Sequence, residues 1–128
     1  MDWFALLENP KALQAYYPAA PDLSGVVLHS IGFRRDGPMA ELVIDLPAFP
    51  AKPSPRWPVE ANTCQVRLQS IDLQSVELSR WGTGVVGDLK VSKTAHGVGL
   101  EFSGEAMFRL DGRWLRVESV TGYVRGAF

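Results

Sequence analysis

From Leu23 onward, apolar and polar residues alternate with a period of two, and this pattern limits the possible folds more than any other feature of the sequence. In the stretch 64–69, for example, Cys64, Val66 and Leu68 alternate with polar residues. Successive side chains of a strand point to opposite faces, so such a pattern predicts strands with one apolar face. No later run has the length and spacing of a crossover helix, which predicts antiparallel pairing.

Turn residues divide this region into about eight short strands. The segments Asp36-Gly37-Pro38 and Asp111-Gly112 are typical of hairpin turns, and a slip in the alternation near Ser75 indicates a bulge or turn. In the first strand, one apolar face is predicted to carry Val27, His29, Ile31 and Phe33. The predicted fold is mainly β (α+β by strict count), as a curved sheet, a sandwich or a partly open barrel.

Residues 1–22 form the one segment with helical spacing, and proline interrupts it. The residue before a proline avoids the α region, so Asn9-Pro10 predicts a break, with Asn9 capping the second piece. Helix is therefore expected mainly within residues 2–17. Five prolines between residues 47 and 61 predict a long surface connection inside the β body at 23–128.

Size and charge exclude several classes of protein. A chain of 128 residues fits one domain, predicted to span 1–128. The formal net charge of -1 gives no overall field that would attract nucleic acid or an anionic membrane. A single cysteine, no basic leader and no run of about 20 apolar residues predict a cytoplasmic protein that neither crosses nor binds a membrane.

The segment 82–87 matches the G-x-G-x-x-G spacing of a dinucleotide-binding loop. That loop needs a helix after the third glycine, because the helix N-terminus holds the pyrophosphate. Here the continuation 88–92 alternates like a strand. The segment is therefore interpreted as a bend between strands.

No combination of residues predicts catalysis, a metal or a cofactor. Cys64 has the parity of a buried strand residue, which favours an inert thiol. His29 lies in phase with apolar neighbours and His96 lies in a predicted turn, so the two histidines make a weak zinc pair. The carboxylates occur singly at positions that suit the solvent side of strands, such as Glu41, Asp45, Asp72 and Glu77.

Two Arg-Trp pairs lie in or beside loops, namely Arg56-Trp57 and Arg80-Trp81. Exposed Trp and Arg dominate binding hot spots, so these four residues are the candidates for contact with a partner. Tryptophans also close cores at the ends of sheets, and that alternative stays open for both pairs.

The order of features along the chain resembles the immunity protein 50 family of bacterial polymorphic-toxin systems. The resemblance covers nearly the whole chain and rests on the helical N-terminal segment followed by Leu28-His29-Ser30-Ile31, Asp45-Leu46-Pro47, Arg56-Trp57, Val66-Arg67-Leu68, Trp81-Gly82 and 117–123. It implies a bacterial cytoplasmic protein that binds and neutralises a cognate toxin domain and is not an enzyme. It supplies no catalytic residue.

Two other functions stay open. The first is a small-molecule binder whose pocket is lined by Phe33, Phe102, Phe108 and Trp114. The second is an enzyme of unfamiliar geometry, which a contact between a histidine and a carboxylate in a cleft would favour.

Overall fold

The computed structural model describes residues 2–126 and consists mainly of antiparallel β-structure. Six strands form it: β1 Ser24–Arg34, β2 Met39–Asp45, β3 Thr63–Arg80, β4 Val86–Lys93, β5 Val98–Gly104 and β6 Met107–Tyr123. The predicted fold class is confirmed. The count is six rather than about eight because β3 and β6 continue through positions where the sequence predicted breaks.

The strands form one sheet in the order β1-β2-β3-β6-β5-β4, and every pair of neighbours is antiparallel. The sheet curves until β4 pairs with β1. This last contact is short, since it joins only Ser24 to Asp88, Val26 to Gly87 and Val27 to Val86. Of the predicted arrangements, the curved single sheet describes the structure best, with its outer strands joined at a narrow seam.

The N-terminal segment closes the core on one side of the sheet. It contains a 3-10 helix, Trp3–Leu6, and helix α1, Lys11–Gln14. Its side chains Phe4, Leu7, Leu13 and Tyr17 are buried with the core-facing residues of the strands. Each fully buried aliphatic or aromatic side chain contributes about 1.5–3 kcal/mol to folding. Helix is thus confined to residues 2–17, as predicted, and no helix in 2–126 has the length and apolarity needed to cross a membrane.

Asn9 fastens this segment to β6 and does not cap the helix that follows. Its side-chain amide donates to the Val117 carbonyl oxygen, and its amide oxygen accepts from the Val117 N–H, both at 2.8 Å. The Glu8 N–H donates to the Leu115 oxygen at 2.8 Å. The backbone near Asn9 therefore covers the edge of β6 beyond the end of β5. The prediction of Asn9 as a cap was wrong, because pairing with a distant strand satisfies its side chain.

The predicted apolar face of β1 is wrong at Val27 and His29, since Val26 and Leu28 are the buried residues there. A bulge between Leu28 and Ser30 changes which side chains point inward. Before the bulge Val26 and Leu28 are buried, and after it Ile31 is only partly buried. His29, which was expected on the apolar face, is exposed at the bulge.

Asp111-Gly112 is not a hairpin turn but part of continuous β6. Gly112 pairs with Leu73 on one side and with Val98 on the other. A Cβ at Gly112 would overlap the Ser70 hydroxyl, so the glycine is needed where two strands approach closely. The preference of Asp111-Gly112 for a hairpin turn is a local property. The packing of this segment against β3 is a long-range contact, and it overrides that preference.

The pocket predicted for a small-molecule binder does not form from its four residues. Phe102 and Phe108 are buried and stack on each other with ring centroids 5.3 Å apart. Phe33 and Trp114 are 50% and 47% exposed at the surface. Because the two phenylalanines fill the interior, this prediction was wrong.

Candidate partner-binding surface

Trp57 is a packing residue that holds the proline-rich loop onto the body of the protein. Its indole stacks on Tyr16, with ring centroids 4.9 Å apart and an angle of 9° between the planes, and meets Phe49 edge-on. The indole also lies over Gly122, where a Cβ would overlap it. The loop is therefore joined to the N-terminal segment and to the end of β6 through this side chain. Arg56 beside it is exposed, and its N–H donates to the Ser54 hydroxyl at 3.2 Å.

Arg80 and Trp81 lie where β3 ends, and no described contact joins them to Arg56 and Trp57. The Trp81 side chain is 58% exposed. The Arg80 guanidinium donates to the Gly104 carbonyl oxygen at 3.4 Å. Trp81 is therefore accessible to a partner, and Trp and Arg are the residue types enriched in binding hot spots. The contact role stays a prediction for all four residues.

A cleft of about 310 Å³ opens beside Trp81 and is also lined by Leu28, His29, Val85, Ala106 and the glycine-rich bend. Val85 and Val86 are about half exposed at this end of the sheet. Trp81 and these valines form an apolar patch.

The glycine-rich segment 82–87 connects β3 to β4, and no helix follows it. It wraps around a carboxylate of the protein itself, because the Thr83 N–H donates to the Glu105 carboxylate at 3.1 Å. A Cβ at Gly82 or Gly84 would overlap the same carboxylate. The glycines therefore serve a close contact inside the fold, in agreement with a bend between strands.

Asp45 was predicted at the solvent side of its strand, but it is buried, with 1% of its surface exposed. Around it lie a tyrosine hydroxyl, a guanidinium and an imidazole. Tyr123 donates to its Oδ2 at 2.5 Å, Arg125 does so at 3.0 Å, and the His29 Nε2 lies 2.8 Å away. These groups allow the carboxylate to be buried. This burial could not be predicted from local patterning, because the tyrosine and arginine partners lie far from Asp45 along the chain.

This cluster holds Tyr123 and Arg125 in place and does not activate either side chain for catalysis. Burial, followed by the hydrogen bond and charge of Asp45, raises the pKa of Tyr123 to about 12. The Tyr123 hydroxyl is therefore protonated at neutral pH and donates a hydrogen bond to Asp45. His29 lines the cleft and lies 2.8 Å from the Asp45 carboxylate, which is the kind of contact that the enzyme alternative requires. The third member of the cluster, Tyr123, is not an activated nucleophile, because its hydroxyl keeps its proton.

The described part of the chain offers neither a metal site nor a reactive thiol. Residues 2–126 contain no group of three or more His, Cys, Asp or Glu side chains placed to hold a metal ion. Cys64 is fully buried, and burial raises the pKa of its thiol. A buried thiol with a raised pKa is a poor nucleophile, in agreement with the interpretation of Cys64 as inert.

Replacing Tyr123 by phenylalanine is expected to lower the free energy of unfolding by about 1.5 kcal/mol at neutral pH, because a hydrogen bond to a charged group is lost. In the wild type, Tyr123 ionises near pH 10 when unfolded and near pH 12 when folded. Its contribution to stability is therefore complete below pH 10 and is lost as the pH rises towards 12.

Urea denaturation between pH 7 and 12 measures this effect. As the pH rises above 10, the free energy of unfolding should fall less for Tyr123→Phe than for the wild type. Tyr16→Phe is the matched control, since it removes a hydroxyl with no described hydrogen bond and keeps the aromatic ring. Identical pH profiles for wild type and Tyr123→Phe would contradict the assignment.

Cys64→Ser is expected to lower the stability by roughly 1–3 kcal/mol, because it places a hydroxyl at a fully buried position. Binding per folded molecule should not change. Thermal unfolding together with a binding titration tests this, and lost function at an unchanged melting temperature would point to thiol chemistry.

Comparison with protein-family models matches residues 9–123 to Immunity protein 50. Comparisons with curated proteins and with solved structures found no match. The matched residues extend from the segment that covers β6 to the end of β6 itself, and so include all six strands. Since the match covers most of the 128 residues, the chain belongs to the immunity protein 50 family.

Proposed function

We propose that this protein neutralises a cognate bacterial toxin domain by forming a one-to-one complex with it in the cytoplasm, without catalysing a reaction. The observation that carries this proposal is the family match over residues 9–123, since the family is one of immunity proteins. The toxin would belong to a polymorphic-toxin system, whose toxin domains form the variable C-terminal parts of large secreted proteins.

The arrangement of the surface supports binding as the mechanism. Trp81 is 58% exposed and directly follows Arg80, the last residue of β3, which pairs there with Met107 of β6. Exposed tryptophan and arginine side chains are the residues that dominate binding hot spots. We therefore place the first contact at Arg80 and Trp81, while Trp57 and Arg56 support the proline-rich loop from which a second contact would come.

The test begins with the gene next to the one for this protein. The C-terminal domain of a large secreted protein encoded there is produced in an inactive form and mixed with this chain. Size-exclusion chromatography with light scattering should show a complex of one copy of each protein. Two separate peaks at micromolar concentrations of both proteins would contradict the proposal.

A further inference from the structure

Half of strand β3 has no neighbour on one side among residues 2–126. Its pairing with β2 ends at Ile71, and the last backbone bond on that side runs from the Leu73 N–H to the Pro38 oxygen at 2.9 Å. From Gln74 to Arg80 it pairs with β6 only, within the described part of the chain. Every second residue of this stretch therefore turns its backbone N–H and C=O away from the sheet.

Strand β1 has a similar free edge. Its contact with β4 ends at Val27, followed by one bond from the Leu28 N–H to the Val85 oxygen at 2.7 Å. From His29 to Arg34 it pairs with β2 alone among residues 2–126.

The two free edges enclose one opening in the sheet. At one end, the bond from Leu73 to Pro38 joins β3 to the turn between β1 and β2. At the other end, His29 and Trp81 line the same cleft. We call it the β1–β3 opening. It is bounded by residues 29–34 of β1, the turn at 35–38, residues 74–80 of β3 and the loop 81–85.

Apolar side chains that belong to the core side of the sheet are exposed in this opening. Directly paired residues of an antiparallel sheet point to the same face. Val76 pairs with buried Leu110, and Leu78 pairs with buried Phe108, yet the two are 45% and 51% exposed. Phe33 pairs with buried Ala40 and is likewise 50% exposed.

Described residues cover the comparable edge of β6, whereas none of them covers this edge of β3. On β6, residues 7–9 supply backbone and side-chain hydrogen bonds to Leu115 and Val117. On β3, the regular run Ser75–Leu78 between two bulges has no such cover within residues 2–126. An uncovered edge with apolar side chains is a ready template for another strand.

Arginines that form no ion pair with any described residue lie at both ends of the opening. The arginines at 67, 109, 113, 116 and 125 each lie within ion-pair distance of a carboxylate. Within the described residues, four arginines do not, namely Arg34, Arg35, Arg56 and Arg80, and all of these except Arg56 lie at the two ends of the opening. The boundary also carries two carboxylates, Asp36 in the turn and Glu77 on β3, and Glu77 lies opposite Arg109 in the strand pair. Nearby, Glu105 bonds to Thr83 and Asp72 faces Arg113, so three arginines stand against two carboxylates on the boundary. The rim therefore favours a partner that carries negative charge.

We propose that the β1–β3 opening binds an extended acidic segment of the toxin domain, which joins the free edge of β3 as an additional strand. This inference rests on the proposed function. Backbone hydrogen bonds to 74–80 would hold the segment, its apolar side chains would contact Phe33, Val76 and Leu78, and its carboxylates would meet the three arginines.

The direct test is hydrogen exchange of the full-length protein, alone and with the inactive toxin domain. Amides within 74–80 that point away from β6 exchange quickly in the free protein and become protected in the complex. A second arm measures the affinity of the double variant Val76→Lys/Leu78→Lys. Its dissociation constant is expected to rise at least about thirtyfold, as for the loss of a binding hot spot.

The matched control is Trp114→Lys, which also puts a lysine at a half-exposed apolar strand position, 47% exposed on β6 and outside the opening, and should leave the affinity unchanged. Toxin binding without protection of 74–80 would overturn the proposed strand addition and leave the proposed function standing. If the amides of 74–80 are already protected without the toxin domain and light scattering shows a dimer, the opening binds a second copy of this chain. That result would also overturn the proposed strand addition by the toxin. Failure of the wild type to bind the toxin domain at all would instead contradict the proposed function.

Discussion

Replacing Trp57 by alanine is expected to lower the free energy of unfolding by about 3 kcal/mol, the lower end of the range for removing a buried tryptophan. The change removes the stacking on Tyr16 and the edge contact with Phe49. It also leaves an empty space over Gly122, where the indole now lies. Because Trp57 is partly exposed, we do not expect the full cost of a core tryptophan.

Urea denaturation measures this loss, and a toxin titration of the folded variant completes the test. Trp114→Ala is the matched control, since Trp114 is 47% exposed and its removal should cost well under half as much. If Trp57→Ala kept its stability and lost toxin affinity, Trp57 would be a partner contact and not a packing residue.

Trp81→Ala should have the opposite effect, namely a large loss of affinity with little change in stability. Trp81 is 58% exposed, so its removal uncovers little of the core. An exposed tryptophan that anchors an interface typically contributes 2 kcal/mol or more, and the dissociation constant is therefore expected to rise at least about thirtyfold.

Calorimetric titration of the inactive toxin domain measures this effect, again with Trp114→Ala as the control. A dissociation constant within about twofold of wild type would exclude Trp81 from the interface. A parallel fall in melting temperature would show that Trp81 is a packing residue after all.

The architecture could be predicted from the sequence because alternation with a period of two is a local property. The pattern around Val66 and Leu68 gives strands with a buried face, and both residues are fully buried. The same local rule failed at His29, because a bulge changes the inward face partway along β1. It failed at Asp111-Gly112 because the packing of Gly112 against Ser70 outweighs the preference of the dipeptide for a turn.

The candidate site was predictable only in part. The sequence singled out Trp57 and Trp81 equally, and only the packing of Trp57 on Tyr16 and Gly122 distinguishes them. The burial of Asp45 was not predictable, because its tyrosine and arginine partners are separated from it by 78 and 80 positions. The free edge of β3 was also hidden, since it depends on which strands end early.

If this protein neutralises its toxin by binding and without turnover, the stoichiometry of protection must be one to one. The activity of the toxin domain is measured with increasing amounts of wild-type protein, at concentrations far above the dissociation constant. The expected activity falls in a straight line and reaches its minimum at one equivalent, and His29→Gln gives the same end point. Complete neutralisation well below one equivalent, abolished by His29→Gln, would show catalysis at the cleft and exclude neutralisation by binding alone.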